Sequence, residues 1–227
     1  MTSYEFRPIG TIHTDFSTKF GVPRQSSLVP QLEAQITMLP EFRSHEAFRG
    51  LEGCKWIWLV WVFSESVRDS WSPTVRPPRL GGEKRMGVFA TRSPFRPNPI
   101  GMSSVQLQSI DYTEESGPVL HVLGADLMDG TPILDIKPYI CYSDSHSDAM
   151  PEYLKSSASA SLSVDFPSEL LSLVPQPKRE ALIAVLSQDP RPRFQHDPDR
   201  IYGMEFAGLD IRFTIDDSAV HVVEVKG

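Results

Sequence analysis

The chain holds only two cysteines, Cys54 and Cys141, and they do not form a CxxC pair. A disulfide framework and a cysteine-built zinc site are therefore not expected, and each thiol is expected to be a small buried residue. No apolar run approaches the ~20 residues that a membrane-spanning helix requires. The opening Met1-Thr2-Ser3-Tyr4-Glu5-Phe6-Arg7 lacks a basic region followed by an apolar one, so no signal peptide is expected and a reducing cytoplasm fits best. There is no GxGxxG at a strand–helix turn, no P-loop, no His/Cys/Asp set at metal spacing and no serine in a nucleophile elbow. A dinucleotide-binding fold, a P-loop NTPase, a metal enzyme and an α/β-hydrolase are all disfavoured by these gaps.

Basic residues are also in short supply, 22 Lys and Arg against 29 Asp and Glu, for a formal net charge of −7. A generic nucleic-acid binder usually carries a basic footprint, which this total does not provide. The distribution is uneven, however. Between Val67 and Gly101 stand Arg68, Arg76, Arg79, Lys84, Arg85, Arg92 and Arg96 against Asp69 and Glu83, a local +5 that leaves −12 for everything else. One basic band on an acidic body suits a polyanion approaching a single face. The same charges scattered in space would suit no such partner.

Proline is plentiful, with 20 residues, and the stretch from Met86 to Met102 is organised by it. Val88-Phe89-Ala90 reads as a buried strand that delivers Thr91, Arg92 and Ser93 at its end. Pro94, Pro97 and Pro99 then block regular structure, because each lacks a backbone N–H and fixes φ. Ser93, Arg96 and Asn98 are biased toward extended backbone by the prolines that follow them. A segment ordered in this way loses less entropy when it grips a ligand. It reads either as a solvated surface loop whose arginines pair with distant carboxylates, or as a site. Comparable chemistry on either side of it favours the site.

Tyr4 to His13 alternates apolar and polar residues, the period-two mark of a half-buried strand. Pro23-Arg24-Gln25 follows in a loop, with side chains able to grip a carboxylate or phosphate. Leu32 to Leu39 alternates again, and Glu41 to Leu51 is expected to be a short helix carrying His45. Trp56 to Phe63 is the most hydrophobic stretch, read as a central strand covered on both sides or as one lining a barrel. Its three tryptophans are expected in the core rather than stacked on bases, and Ser64-Glu65-Ser66 supplies a polar end. Residues 67–85 form a loop longer than the about 12–15 residues usual for a structureless connection, and such loops are commonly functional.

Ser103 to Ile110 and Pro118 to Leu123 are further strands, and Asp129-Gly130 signals a turn. Ile133 to Tyr139 is a strand with Asp135, Lys137 and Tyr139 on one side. Asp135 and Lys137 either pair with each other or serve a site. From Ser143 to Phe166 large apolar residues thin out, which sets a first domain at residues 1–145, a linker at 146–166 and a small α+β domain at 167–227. Pro167 to Ser187 reads as one or two helices, and three antiparallel strands follow at 201–206, 209–215 and 219–225. Many short strands with few helices before residue 145 make the first domain mainly β, a barrel or sandwich.

Six ordered motifs carry a resemblance: Val22 to Gln25, Arg49 to Glu52, Arg76 to Gly82, Gly87 to Ser93, Phe95 to Gly101, and Asp129 to Tyr139. Together they resemble the TsaA-like family, whose known members include bacterial TrmO-type (YaeB-like) tRNA methyltransferases. The likeness spans residues 5 to 146, and Gln188 to Pro192 with the strands after Tyr202 is similar to the C-terminal extension of those members.

The resemblance implies S-adenosylmethionine-dependent methylation of N6 of threonylcarbamoyl-adenosine at position 37 of tRNA. It further implies a single-sheet, non-Rossmann β-barrel, a homodimer, and a cofactor pocket near the dimer interface. By motif, Pro23, Arg24, Gln25, Arg92, Met102 and Leu123-Gly124-Ala125-Asp126 would belong to the cofactor pocket. Ser64-Glu65 stands where relatives often carry a histidine-containing pair, so a cofactor contact there would run through Glu65. The threonyl carboxylate needs a cation, for which Arg76, Arg79, Arg96 and Lys137 are candidates, with Asn98 and Tyr139 as further substrate contacts. Asp126, Asp129 and Asp135 are candidate bases for the N6 proton. A non-catalytic barrel that binds RNA or a nucleotide-like ligand is the alternative, since fold does not fix function.

Overall fold

Alternating side chains drive the first half of the chain into strands that close on themselves. A computed structural model of the chain describes residues 4–77, 85–113, 115, 117–149, 151, 161–191, 195 and 197–227. Six strands form a closed antiparallel barrel: β1 (Gly10–His13), β2 (Glu33–Met38), β3 (Trp56–Val62), β6 (Ile100–Asp111), β7 (Val119–Leu123) and β8 (Thr131–Pro138), in the spatial order β1-β2-β7-β6-β3-β8. Between β3 and β6 a two-stranded ladder joins β4 (Thr74–Val75) to β5 (Met86–Gly87).

Strand β3 shows why the barrel closes. Ile57, Leu59 and Trp61 point inward and are buried, while Trp56, Trp58, Val60 and Val62 are half-buried on the outer surface. Closure removes the free edges an open sheet would expose. Ile12, Ile36, Ile57, Leu59, Val105, Leu120, Val122 and Ile133 fill the interior with no exposure to solvent. Burying each such side chain contributes about 1.5–3 kcal/mol against leaving it in water. Outside, Trp58 lies 5.4 Å from the Tyr139 ring and its indole N–H donates to Asp144 Oδ2 at 2.8 Å.

A second core lies under a four-stranded sheet of β9 (Ser163–Asp165), β10 (Tyr202–Phe206), β11 (Leu209–Ile215) and β12 (Ala219–Lys226). Helices α2 (Ser168–Ser172) and α3 (Gln176–Ser187) pack on it, after the single turn α1 (Cys141–Asp144). Strand β9, inside the stretch read as a linker, pairs in parallel with β12. The first half of the chain lends this core Phe16, Val29 and Leu32. Phe16 meets Phe206 edge-on at 5.4 Å, and Lys178 of α3 pairs with Asp15 at 2.9 Å.

Four sequence expectations are corrected. Val88–Ala90 is one turn of 3₁₀ helix, with Val88 buried and Phe89 74% exposed, because Val88 N–H is taken by Pro73 O rather than by a ladder partner. Glu41 to Leu51 breaks into three 3₁₀ turns, Pro40–Phe42, His45–Phe48 and Leu51–Gly53. Gly50, at φ 91°, supplies the left-handed kink between the last two. The first strand starts at Gly10, past Pro8, and Tyr4 and Phe6 are exposed. Cys141 is exposed rather than buried, and Cys54 is half-buried.

Candidate active site

Strand β6 alternates with its inner side chains at Gly101, Ser103 and Val105. Gly101 pairs with Trp61 across the β3–β6 ladder, and a Cβ there would sit 2.4 Å from an indole carbon. The missing side chain is therefore the space the indole fills. Trp61 Nε1–H donates to Ser103 Oγ at 3.0 Å, and the Ser103 hydroxyl donates to Asp126 Oδ1 at 2.5 Å. An indole nitrogen can only donate, so it takes an acceptor lone pair of Ser103 and leaves the hydroxyl proton for the carboxylate.

Past β7 the chain turns at Gly124, φ 78°, where Ser27 Cα approaches to 3.2 Å of the position a Cβ would take. Ser27 N–H donates to Gly124 O and Gly124 N–H to Leu32 O, both at 2.8 Å. The loop after Gly21 is thereby stitched to the turn carrying Leu123, Gly124, Ala125 and Asp126. Ser26 gives a backbone hydrogen bond to Asp126, and the Arg92 charge acts on it as well. Arg92 in turn donates to Gln25 Oε1, while Gln25 Nε2 donates to Arg24 O.

Burial pushes the Asp126 carboxyl above its ordinary range, opposed by the hydrogen bonds of Ser103, its own backbone and Ser26 and by the Arg92 charge. A carboxylate held in this balance can accept a proton more readily than an exposed one.

The predicted residues divide. Gln25, Arg92 and Asp126 come together, with buried Pro23 at the start of their loop and Leu123 to Ala125 leading into the turn. Arg24 reaches across instead to the backbone oxygens of Asp189 and Arg191, at 3.2 and 3.5 Å. It thus ties the loop to the Gln188-to-Pro192 motif, where Arg191 is buried and donates to Ile215 O and Asp216 O. Met102 stands on the outer face of β6, 58% exposed, opposite Val60. Ser64 and Glu65 form a 3₁₀ turn with Ser66, and Lys19 Nζ donates to Glu65 O at 2.9 Å.

Asp129 and Asp135 lie apart from this cluster. Asp129 accepts from Thr14 N–H at 3.1 Å and faces His13 at 3.3 Å, on a cleft of about 840 Å³ between the barrel and the second core. Asp135 pairs with Lys137 at 2.7 Å and lines a cleft of about 600 Å³ with Phe42, Arg49 and Leu51. Gln25, Arg92 and Asp126 line neither cleft. Arg76 and Asn98 are exposed, and Arg96 Nη1 donates to Thr91 O at 3.3 Å. Tyr139 donates its N–H to Trp56 O and stacks toward Trp58. Arg79 lies outside the described residues.

Sequence reasoning missed Ser26, Ser103 and Trp61 as parts of the site. Ser103 did carry a signal, a hydroxyl on the inward side of an alternating strand, where burial demands a partner.

The residues fit a sulfonium amino acid. A guanidinium and a carboxamide can take its carboxylate and amine, and a carboxylate in a poorly solvated position can face its positive charge. A closed antiparallel barrel presenting such a set is compatible with a methyltransferase built without a Rossmann sheet. Family models agree with that class: tRNA-methyltransferase O N-terminal domain matches residues 11–145, and TrmO C-terminal domain matches residues 159–227. The chain belongs to the tRNA-methyltransferase O family.

A tRNA (adenine(37)-N6)-methyltransferase of Escherichia coli is 39% identical, the alignment covering 100% of this chain and 99% of that one. A protein of Pseudomonas aeruginosa that carries the name S-adenosylmethionine-dependent methyltransferase RcsF is 37% identical, with 99% of each chain covered. The crystal structure of TrmO from Pseudomonas aeruginosa superposes with a TM-score of 0.78 at 33% identity, over 100% of this chain and 99% of that one.

Proposed function

We propose that this tRNA (adenine-N6)-methyltransferase acts on threonylcarbamoyl-adenosine at position 37, with S-adenosylmethionine held at the Gln25–Arg92–Asp126 cluster. Bound S-adenosylmethionine supplies an electrophilic methyl group on a cationic sulfur. The observation that carries the reading is the hydrogen-bonded chain from Trp61 through Ser103 to Asp126, beside Arg92 and Gln25. It fixes a carboxylate of raised proton affinity next to a carboxylate-binding pair.

The chain's own residues have modest chemical work to do. An N6–H flanked by a carbonyl is more acidic than that of adenine itself. Asp126 takes that proton, and Ser103 holds the carboxylate oxygen in place as it does so. Arg92 and Gln25 position one reactant, and the bonded loops around them limit its freedom. Positioning is the main requirement of an in-line displacement. The threonyl carboxylate is met by cations of the loops that follow β4 and β5, exposed Arg76 and half-buried Arg96. Lys137 is engaged by Asp135, which favours the arginines.

The outer barrel face supports a homodimer as part of this reading, since Ile100 is 37% and Met102 58% exposed there beside half-buried Val60 and Val62. A second copy would cover that apolar strip and wall in the cofactor. The cytoplasm, where tRNA resides, is the proposed compartment, and the free thiols of Cys54 and Cys141 agree with it.

The test is methylation of two tRNAs that differ only in the threonylcarbamoyl group at adenosine 37. Nucleoside mass spectrometry should find one added methyl on the modified base and none on plain adenosine. Equal methylation of both would reject the threonylcarbamoyl requirement.

A further inference from the structure

The tryptophans of β3 serve the barrel, yet the arginine-bearing loops expose other rings. Trp71 is 52% and Phe89 74% exposed, with centroids 6.1 Å apart and planes inclined by 36°. Close by in sequence, Phe95 is 39% exposed and the Arg68 guanidinium lies 3.8 Å from its ring centroid. Such exposure costs solvation free energy, so a fold that tolerates three rings here is keeping them for a contact.

These rings are held, not loose. The β4–β5 ladder pairs Thr74 with Gly87 and Val75 with Met86, which brings the Trp71 segment beside the Phe89 turn. Val88 N–H donates to Pro73 O at 3.0 Å, and buried Val88 anchors the turn so that Phe89 faces outward. Thr91 and Ser93 hydroxyls accept from Ser93 and Phe95 N–H at 3.3 and 3.2 Å, fixing the approach to Phe95. Rigid aromatic faces lose little entropy on contact.

The surrounding charge selects the partner. Among the described residues from 67 to 101 there are five arginines, Arg68, Arg76, Arg85, Arg92 and Arg96, against the single acid Asp69. Exposed rings interleaved with arginines are the elements by which proteins bind single-stranded RNA, bases on the rings and phosphates on the cations. A protein partner of ordinary composition would leave those arginines unpaired. A base-paired stem would leave the rings unused.

We propose that Trp71 and Phe89, with the Arg68–Phe95 stack close to them in sequence, form a platform for an unpaired base of the RNA loop that carries the target adenine. The inference rests on the tRNA-methyltransferase reading and adds to it the residues that grip the loop. Stacking holds the neighbouring base so that the target nucleotide stays splayed out of the loop stack and can be presented to the Asp126 cluster.

The experiment measures tRNA affinity of the full-length protein across a salt series, for wild type, Phe89→Ala, Trp71→Ala, the double variant, Phe89→Trp and Arg68→Ala. Phe89→Ala and Trp71→Ala should each weaken binding by roughly five- to a hundredfold with an unchanged salt slope, the magnitude of losing one stacked base. Phe89→Trp should restore it. Arg68→Ala should reduce the slope of log affinity against log salt by about one. S-adenosylmethionine affinity and the circular dichroism spectrum serve as folding controls and should not change.

A double variant that folds, binds S-adenosylmethionine and holds tRNA as wild type does would overturn the platform. So would a change of mass in solution confined to the ring variants, since the rings would then be a contact between copies. Absence of tRNA binding by the wild-type protein at any salt would instead remove the parent reading, and the platform with it.

Discussion

Trp61 and Gly101 face each other across the β3–β6 ladder, and the indole occupies the room a side chain at 101 would need. The same indole orients Ser103, and Ser103 orients Asp126. One small residue on a barrel strand thus sets the geometry of a carboxylate that lies past the following strand.

Gly101→Ala should therefore do two things at once. Overpacking against the buried indole should cost about 1–3 kcal/mol of stability, read from urea unfolding. Methyl transfer should fall by more than the loss of folded protein explains, because Trp61 can no longer reach Ser103. Unchanged stability and rate would mean that the indole has another place to go.

Ser103→Ala removes a hydrogen bond that holds the Asp126 pKa down against burial. The carboxyl should then rise further above its ordinary range and stay protonated to higher pH. The acidic limb of the rate profile for methyl transfer should move toward neutral. A uniform drop in rate with the limb unmoved would show that Asp126 does not accept the proton.

His221 makes a separate prediction for the second core. Its Nε2 lies 2.9 Å from Asp216 and its Nδ1 3.3 Å from Asp165, joining β12 to the preceding turn and to β9. Asp216 first, and Asp165 next, raise the imidazole pKa, and His221 in turn holds Asp216 below the usual carboxylate range. For His221 the folded value exceeds the unfolded one, so its contribution is complete below about pH 6.5 and is lost as pH rises through the raised value. For Asp216 the contribution is present above the ordinary carboxylate pKa and fades as pH falls. Melting temperature should decline as pH rises above about 6.5 in wild type, and His221→Gln should flatten that decline. Parallel curves for the two proteins would contradict the assignment. The groups are substantially exposed, so the effect should be small.

Much of this was legible before the structure. The period-two patterns at 32–39 and 103–110 and the unbroken apolar run at 56–63 mark strands whose inner residues now fill the barrel, and the two helices and three later strands fall where apolar spacing puts them. Short apolar runs misled, because Val88-Phe89-Ala90 carries no information about whether a ladder partner exists. The 3₁₀ turns at 40–53 reflect Pro40 and Gly50, whose effect outweighs the helical spacing of Phe42 and Phe48.

The site was legible in its residue types more than in its geometry. Arg92 and Gln25 are 67 positions apart, and Ser103 and Asp126 are 23 apart. Barrel closure, which no local pattern encodes, brings them together. The same closure separates Asp129 and Asp135 from Asp126, although the three stand within ten positions in sequence. Phe16, Val29 and Leu32 likewise reach the second core only through tertiary packing.

The most direct test of the central claim is calorimetric titration of S-adenosylmethionine into wild-type protein and Arg92→Ala. Saturable binding by the wild type, weakened by about tenfold or more in the variant, is the predicted result, as expected for losing a charge-assisted hydrogen bond to a carboxylate. Equal affinity in the two proteins would contradict it and move the methyl donor away from Gln25, Arg92 and Asp126.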